Sequence, residues 1–167
     1  TIIQEKDEVY VLSATKDMAQ IEIFMGIKHK NIDNIAIFGG DLLGYYLATI
    51  FEKKKKKFHV KIFEQNEELC EELSEHLKKT LIINGSCTDV SLMEDENIHN
   101  TDIVVAVSDD DKENVLTAIL AKHIGAKKVI AQIRRSDYVH MIENFGIDKA
   151  ISPRSLTASA ILRFINR

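Results

Sequence analysis

Several features that would assign this chain to a specialised class of protein are scarce or missing. A single proline in 167 residues excludes proline-rich tracts and rigid linkers. Two cysteines, Cys70 and Cys87, are too few for a disulfide framework and lack metal-ligand spacing, which fits a reducing cytoplasm. No apolar run approaches the roughly 18–20 residues of a membrane-spanning helix. The formal net charge of -4 argues against general binding to nucleic acid, which requires a basic face.

No catalytic motif is recognisable in the chain. There is no G-x-S-x-G or H-E-x-x-H sequence, and the six histidines are scattered without metal-ligand spacing. Three consecutive aspartates, residues 109–111, resemble a metal-binding run. They precede a predicted helix, however, where carboxylates cap free amides and complement the helix dipole. We therefore predict neither a metal site nor an enzyme.

Apolar residues make up 45% of the chain, which is enough for the core of one medium domain. From residue 32 onward, strand-like segments alternate with helices long enough to require parallel strands and right-handed crossovers. The pattern predicts an α/β fold, an open, doubly wound sheet of about six parallel strands. The predicted strands are Asn34–Phe38, His59–Phe63, Leu81–Ile83, Asp102–Val107, Lys128–Ile133 and Lys149–Ile151. The predicted helices are Leu42–Lys53, Asn66–Lys79, Asp110–His123, Ser136–Phe145 and one with Ser152 as N-cap and Pro153 at its first position.

Residues 1–30 are predicted to form a short strand–helix appendage, with a strand over Glu8–Leu12 and a helix over Thr15–Met25. The polar residues 28–33 look like a linker to the sheet. The chain opens with TIIQEKDEVY, which is polar, so we expect no signal peptide. Because it begins without methionine and in the middle of a pattern, we expect it to be part of a longer protein.

The segment IAIFGGDLLG, residues 35–44, nearly matches the dinucleotide-binding fingerprint G-x-G-x-x-G. Gly39 would permit the sharp exit from the strand, and Gly44 would let the helix approach the sheet of a Rossmann-like fold. Glu64 ends the second strand about 20 residues beyond Gly44, where the fingerprint expects an acid that binds a ribose hydroxyl. A carboxylate there favours NAD or an unphosphorylated adenosine; the alternative is an exposed acid at a strand end. Ser108 and Asp109, after the fourth strand, face the same cleft.

Asp41 stands where the fingerprint has its middle glycine, against which a pyrophosphate lies. Two unit charges about 5 Å apart at an effective dielectric near 20 repel by about 3 kcal/mol. That repulsion corresponds to a loss of affinity of about a hundredfold. Asp41 could avoid it by capping the first helical turn, or a cation could bridge it to phosphate. We expect a weakened or vacant nucleotide site.

The one low-complexity segment is the run of five lysines over Lys53–Lys57. It ends the first helix of the sheet domain, where cations complement the helix dipole. We interpret it as a solvated surface, with contact to anionic lipid or another acidic partner as the alternative.

Five stretches together resemble a known family. They are GGDLLGYYLATIFE, VKIFEQNEELCEELSE, INGSCTD, DIVVAVSDDDKENVLTAILAKHIGAKKVI and GIDKAISPRSLTASAILRF. Over essentially all of residues 32–167, the chain resembles the TrkA-N (RCK) domain, the cytoplasmic regulatory module of bacterial Trk and Ktr potassium uptake systems. Residues 1–30 resemble the end of the smaller TrkA-C domain, which would place the chain in the second half of a tandem protein.

The resemblance implies a non-enzymatic subunit, peripheral to the inner face of the cell membrane, that senses NAD(H) or ATP/ADP and regulates a membrane potassium transporter. The implied ligand-binding positions are Gly39, Gly40, Asp41, Leu42, Leu43, Gly44, Glu64, Ser108, Asp109 and Gln132. Four positions depart from the family pattern, namely Asp41 for glycine, Leu42 for a polar or arginine residue, Ser86 for aspartate and Gln132 for arginine. Since three of these changes remove space or positive charge for phosphate, we expect weak binding.

The resemblance also implies a homo-oligomer, a dimer or larger, that pairs through helices near the end of the fold. On the last helix, Ala158, Ile161, Leu162 and Ile165 follow helical spacing and form an apolar stripe. Two alternatives to a regulatory subunit remain. One is an NAD-dependent oxidoreductase, against which little chain lies outside the sheet to hold a substrate, and the other is a ligand-free structural domain.

Overall fold

The computed structural model describes residues 11–14, 17–26 and 32–166. The chain divides into two compact units, Thr1–Asn31 and Ile32–Arg167. In the first unit, the described residues contain one helix, α1 (Met18–Phe24), within the helix predicted over residues 15–25. Most of the strand predicted over residues 8–12 lies outside the described residues, and the described Val11 and Leu12 are not in a strand. The assignment of this unit to a TrkA-C domain stays a prediction.

The second unit is a six-stranded sheet covered by helices. Its strands are β1 (Asn34–Phe38), β2 (His59–Glu64), β3 (Leu81–Asn84), β4 (Ile103–Ala106), β5 (Lys128–Gln132) and β6 (Lys149–Ile151). Its helices are α2 (Leu42–Lys53), α3 (Glu67–His76), α4 (Val90–Asp95), α5 (Asp111–Ile124), α6 (Val139–Glu143) and α7 (Pro153–Ile165). All strand pairs are parallel, in the order β3-β2-β1-β4-β5-β6. The predicted doubly wound sheet is therefore confirmed.

Residue alternation along β1 divides the core into two layers. Ile35 and Ile37 belong to a buried cluster with residues of α2 and α3, whereas Ala36 and Phe38 belong to one with residues of α4, α5 and α6. At the carboxyl end of the strand, the Phe38 ring stacks on that of Phe63 with centroids 4.3 Å apart. Both rings are buried, at the ends of β1 and β2 where the turn after β1 begins.

The helix predicted over residues 66–79 is too long. It ends at His76 because Leu77 takes an extended conformation, with φ -96° and ψ 127°. The carboxylate of Glu52 then accepts hydrogen bonds from the backbone N–H groups of Lys78, Lys79 and Thr80, at 3.3, 2.8 and 2.9 Å. These amides cannot continue a helix while they bind a side chain of α2. The contact joins residues 26 to 28 positions apart, so local periodicity carries no signal for it.

Two other helical segments differ from the prediction. No element was predicted between residues 84 and 101, yet α4 lies there, with Asp89 as N-cap accepting from the Leu92 amide at 3.1 Å. A 3₁₀ turn, Ile98–Asn100, follows it. The helix predicted over residues 136–145 is a 3₁₀ turn, Ser136–Tyr138, followed by the short α6.

The last helix, α7, packs little of its surface against the sheet. It has no buried residue, and Ile161, Leu162 and Ile165 are more than half exposed. Ser152 takes the predicted N-cap position, although its side chain makes no capping hydrogen bond. Within the described ranges, no helix is long and apolar enough to cross a bilayer.

A buried carboxylate fixes the start of the sheet. Asp102 precedes β4 and is 7% exposed, and its Oδ2 accepts from the backbone N–H groups of Asp33 and Asn34, both at 2.9 Å. Its Oδ1 accepts from Lys127 Nζ at 2.6 Å. These donors, the Asn34 amide first among them, hold the pKa of Asp102 well below its usual range.

We predict that Asp102→Asn lowers the free energy of unfolding by about 2 kcal/mol at pH 7. The substitution replaces a charged carboxylate, which accepts from three donors, by a neutral amide with one acceptor oxygen. The folded-state pKa lies below the unfolded value, so the stabilisation is present above about pH 4 and is lost as the pH falls. Urea unfolding at pH 7 and pH 3 checks both points. The exposed Asp137→Asn is the control and should change little; equal effects of the two variants at pH 7 would contradict the prediction.

Candidate functional site

The strand order reverses between β1 and β4. The chain runs from β1 to β2 and β3 on one side and returns to β4 on the other. In open α/β sheets, ligands bind at this point, beyond the carboxyl ends of the strands. The turn Gly39–Asp41 follows β1 and the turn Val107–Asp110 follows β4, so both groups of predicted site residues lie around one cleft, here called the switch-point cleft.

Two glycines of the first turn are required by close backbone approaches. Gly39 has φ +107°, its N–H donates to the Phe63 carbonyl at 2.9 Å, and a Cβ there would lie 2.6 Å from the Ser108 amide nitrogen. A Cβ on Gly44 would lie 2.0 Å from the Gly39 carbonyl oxygen. Gly39 lets the turn after β1 pack against the turn after β4, and Gly44 lets α2 pack against the turn after β1.

Glu64 lies at the end of β2 and is 8% exposed. Its Oε2 accepts from the Gly40 N–H and its Oε1 accepts from the Asn66 N–H, both at 2.8 Å. A Cβ on Gly40 would lie 2.6 Å from Leu73 Cδ1 and 3.1 Å from Glu64 Cγ, so this glycine is also required for packing. Glu64 is therefore a structural acceptor rather than an exposed acid. Each carboxylate oxygen has a second lone pair with which it can accept a bond from a ribose hydroxyl.

Asp41 is the N-cap residue of α2, but its side chain makes no capping hydrogen bond. Asp41 therefore does not avoid repulsion of a phosphate by capping the first helical turn, the first of the two ways named above. Partial burial raises the pKa of Asp41 above its usual value, and the negative charges of Asp109 and Glu64 raise it further. The charge of Arg134 opposes this shift, and that of Glu113 adds to it. The cleft around Asp41 is thus predominantly anionic.

The first helical turn offers phosphate little more. Leu42 and Leu43 are 72% and 39% exposed at the start of α2, and neither side chain can pair with an anion. The favourable contribution is the partial positive charge of the helix N-terminus. Asp41, with its full negative charge, occupies the same place.

Asn114 is a site residue that the sequence analysis missed. It is 1% exposed, and its Oδ1 accepts from the Ser108 N–H at 2.7 Å. Its Nδ2 donates to the carbonyls of Ser108 at 2.9 Å and Gln132 at 3.2 Å. Asn114 thereby joins the ends of β4 and β5. The sequence does contain a signal for it, because Asn114 falls on the buried stripe of α5 that Ala118 and Ala121 continue.

Arg134 is the second missed residue. The family pattern has an arginine at the position of Gln132, whereas in this chain Arg134 lies two positions beyond it and forms an ion pair with Asp109. The Arg134 backbone N–H also donates to both oxygens of Asp111, each at 3.0 Å. The Arg134 guanidinium, whose charge acts on Asp41, is thus already paired with an acid of the same cleft.

The remaining predicted positions contribute polar atoms. Asp110 caps α5 by accepting from the Lys112 N–H at 2.7 Å, as predicted for the aspartate run. Gln132 ends β5, and its Oε1 is buried without a hydrogen-bond partner among the described residues. Ser86, in the turn after β3, accepts from the Thr88 N–H at 3.3 Å.

These residues fit a nucleoside better than a diphosphate. Glu64, Ser108 and Gln132 supply oxygens that can bind hydroxyl or amino groups. Around Asp41, the carboxylates of Asp109, Glu64 and Glu113 outnumber the guanidinium of Arg134. Among the described residues no group of acidic, histidine or cysteine side chains could hold a metal ion. Burial raises the pKa of Cys87 to about 12, so this thiol is not a nucleophile near neutral pH.

With this geometry established, comparison with known proteins identifies the family. The model of the TrkA-N domain matches residues 35–153. The chain belongs to the TrkA-N domain family. All ten predicted ligand positions of this TrkA-N domain lie within the matched residues.

The chain is also similar to longer curated proteins. The Trk system potassium uptake protein TrkA homolog 2 of Methanosarcina mazei is 40% identical over 161 residues, which cover 96% of this chain and 36% of that protein. The Trk system potassium uptake protein TrkA of Halomonas elongata is 36% identical over 167 residues, which cover 100% of this chain and 36% of that protein. The chain therefore spans little more than a third of the length of these relatives.

Solved structures share the fold of this TrkA-N domain. The TrkA-N domain of the inner membrane protein YbaL from Escherichia coli has a TM-score of 0.70 at 14% identity, covering 81% of this chain and 98% of that one. The NAD(P)-binding domain of an exopolyphosphatase-related protein from Archaeoglobus fulgidus has a TM-score of 0.69 at 16% identity, covering 81% of this chain and 98% of that one. The GsuK channel bound to NAD has a TM-score of 0.63 at 17% identity, covering 81% of this chain and 25% of that one. At these identities the likeness extends to the fold alone.

We predict that Glu64→Gln destabilises the TrkA-N domain by about 2 kcal/mol in the absence of any nucleotide, because an amide can replace only one of the two acceptor oxygens. Urea unfolding of the nucleotide-free protein measures this. The matched control is Glu67→Gln, an exposed substitution in the first turn of α3. A loss no larger than that of the control would show that the two bonds to Glu64 do not stabilise the fold.

Proposed function

We propose that this TrkA-N domain is a non-enzymatic regulatory module of a potassium uptake transporter. It would act in the cytoplasm, peripheral to the inner face of the membrane, with a membrane transporter subunit as its partner. Family membership and the names of its curated relatives support this role. Since the chain spans about a third of those relatives, the remainder of such a protein would supply further parts of the regulator.

The proposed ligand is NAD(H) or an adenine nucleotide, bound weakly at the switch-point cleft. The fold neighbours described as NAD(P)-binding and as bound to NAD support a nucleotide of this class. The observation that carries the prediction of weak binding is the anionic surrounding of Asp41. Binding would begin with the nucleoside at Glu64 and Ser108, while the phosphates would meet net repulsion.

A regulatory role is favoured over the NAD-dependent oxidoreductase. A dehydrogenase needs a general acid or base beside the nicotinamide and a pocket for its substrate. The curated relatives described above are named for potassium uptake rather than for a redox reaction. A purely structural domain without ligand stays the second alternative, and nucleotide titration separates it from the sensor.

The apolar face of α7 supports dimerisation through this helix. Ala158, Ile161, Leu162 and Ile165 are all exposed, and Phe164 beside them is 80% exposed. Exposed apolar patches of this kind mark interaction surfaces in soluble proteins. We propose that the partner is α7 of a second copy, which would couple the two nucleotide clefts.

We predict that Asp41→Gly increases the affinity for NADH and ADP by about a hundredfold, since it removes a repulsion of about 3 kcal/mol. Calorimetric titration with NADH, NAD, ATP, ADP and AMP, against the wild-type chain, measures the change. The wild type should bind weakly or not at all.

Asp41→Asn is the matched variant that separates charge from volume. If the charge is responsible, the asparagine variant recovers most of the gain; if the side-chain volume is responsible, glycine alone does. No gain in either variant would contradict the proposed repulsion. No binding of any nucleotide by all three proteins would favour the ligand-free structural domain.

We predict that the wild-type chain is dimeric or larger at micromolar concentration and that Ile161→Glu with Ile165→Glu makes it monomeric, because each glutamate would be buried without a partner in the interface. Light scattering measures the mass. Val90→Glu, an exposed change at the start of α4, is the control and should leave the mass unchanged. A wild-type monomer at this concentration would contradict the proposal.

A further inference from the structure

Seven lysines converge at the amino edge of the sheet, opposite the switch-point cleft. Lys53 is the last residue of α2, and Lys54–Lys57 follow it on the way to β2. Two further lysines, Lys78 and Lys79, precede β3. All seven are exposed. We call them the lysine patch. It contains about a third of the 22 basic residues of a chain whose net charge is -4, so positive charge is concentrated at one edge of an acidic protein.

Glu52 holds the two parts of the lysine patch together. Besides the three amides of residues 78–80, its Oε1 accepts from the Thr80 hydroxyl at 2.9 Å. In return, Lys79 Nζ donates to the Glu52 backbone carbonyl at 2.9 Å. The hydrogen bonds lower the pKa of Glu52 despite its partial burial, so this carboxylate is charged at neutral pH. By binding their amides, the Glu52 carboxylate fixes the backbone of Lys78 and Lys79 beside the end of α2. Among the ion pairs of described residues, none joins Glu52 to a lysine of the patch.

Most lysines of the patch form no ion pair with a described residue. Among ion pairs of described residues, the patch contributes one, between Lys56 and Asp33 at 3.1 Å. Lys56 also donates to the Ile32 carbonyl at 2.6 Å and lies 5.3 Å from the centroid of the Phe58 ring. Lys56 is thus a positioned residue, whereas Lys54, Lys55 and Lys57 project their charges from the surface.

The patch borders a groove of about 340 Å³. Its lining includes Lys54, Lys57, Lys79, the aromatic pair Phe51 and Phe58, and Glu52. The two rings meet edge to face with centroids 5.2 Å apart. Lysine ammonium groups beside aromatic rings suit a surface that presents phosphate groups above hydrocarbon, and the Glu52 carboxylate in the groove is already engaged by the amides of residues 78–80.

We propose that the lysine patch binds the anionic phospholipid headgroups of a membrane surface. Every cation in the patch is a lysine, a hydrated point charge on a flexible stem, rather than an arginine, which makes bidentate bonds to carboxylates. Specific protein interfaces are depleted in lysine and enriched in arginine. Runs of four to eight basic residues at a membrane surface bind anionic lipid, with about fivefold in affinity for each residue near the surface.

This inference goes beyond the proposed function because it concerns a different edge of the domain. Contact at the amino edge leaves the switch-point cleft at the carboxyl edge open to the cytoplasm. Lipid binding and nucleotide binding should therefore be independent, and the two proposals can fail separately.

The test is cosedimentation of the full chain with vesicles of phosphatidylcholine, with and without phosphatidylglycerol. We expect binding to the anionic vesicles alone, and its loss as salt shortens the Debye length from about 10 Å at 0.1 M to about 3 Å at 1 M. The triple variant Lys54→Gln, Lys55→Gln, Lys57→Gln should bind about a hundredfold more weakly. It spares Lys56, whose contacts are structural.

Two matched variants control for net charge and for stereospecific contacts. Lys112→Gln, Arg135→Gln, Arg154→Gln removes the same charge from exposed positions away from the amino edge and should retain most of the binding. The variant Lys54→Arg, Lys55→Arg, Lys57→Arg should also retain it, since diffuse attraction depends on charge alone. Circular dichroism checks that each variant is folded, and nucleotide titration of the glutamine variant should match that of the wild type.

Several outcomes would overturn the proposal. They are no binding to anionic vesicles, equal binding by the wild type and the glutamine variant, or equal loss in the charge-matched control. Displacement from vesicles by millimolar inorganic phosphate would assign the groove to free phosphate instead. Stronger binding to soluble polyglutamate than to vesicles at equal ionic strength would assign it to an acidic protein.

Discussion

Two hydrogen bonds to one buried carboxylate shape the cleft of this protein. Glu64 accepts the amide of Gly40 with one oxygen and the amide of Asn66 with the other, so it joins the turn after β1 to the start of α3. The turn can pack this closely only because residue 40 is a glycine, since a side chain on Gly40 would collide with Leu73. The same contact places a negative charge beneath the turn that, in dinucleotide-binding folds, accepts a pyrophosphate. Glu64 therefore both holds the turn in place and adds negative charge to the cleft.

The other charges of the cleft strengthen this effect. Arg134 could have compensated for Asp41, but its guanidinium pairs with Asp109 and its backbone amide binds Asp111. The turns of the cleft lie at the switch point of the sheet, and its carboxylates outnumber the guanidinium of Arg134 around Asp41. In the proposed role, weak binding would suffice, because a sensor needs occupancy that changes with the ligand rather than saturation. In the proposed arrangement, the carboxyl edge, α7 and the amino edge carry nucleotide, a second copy and the membrane surface separately.

The parts of the site that the sequence predicted are those in which a residue type is required locally. Gly39 is required locally by its positive φ and Gly44 by its contact with the Gly39 carbonyl, and the position of Glu64 follows from its place at the end of β2. The missed residues act over longer distances. Asn114 joins β4 to β5 from a helix, and Arg134 reaches an acid 25 positions away. Glu52 ends a helix that it does not belong to, by binding amides 26 to 28 positions later. Charge pattern along the chain does not encode which of many carboxylates a given donor will meet.

The alternation of apolar strands and amphipathic helices determined the doubly wound sheet by itself, because parallel strands joined by helices have few other ways to bury both faces. The glycines and the acid at residue 41 likewise indicated an altered phosphate turn. The tertiary structure decided which side chains surround that acid, and which lysines distant in sequence share an edge with the run at residues 53–57. Such neighbours depend on how strands and turns are brought together in space, and Coulomb interactions depend on those distances rather than on separation along the chain.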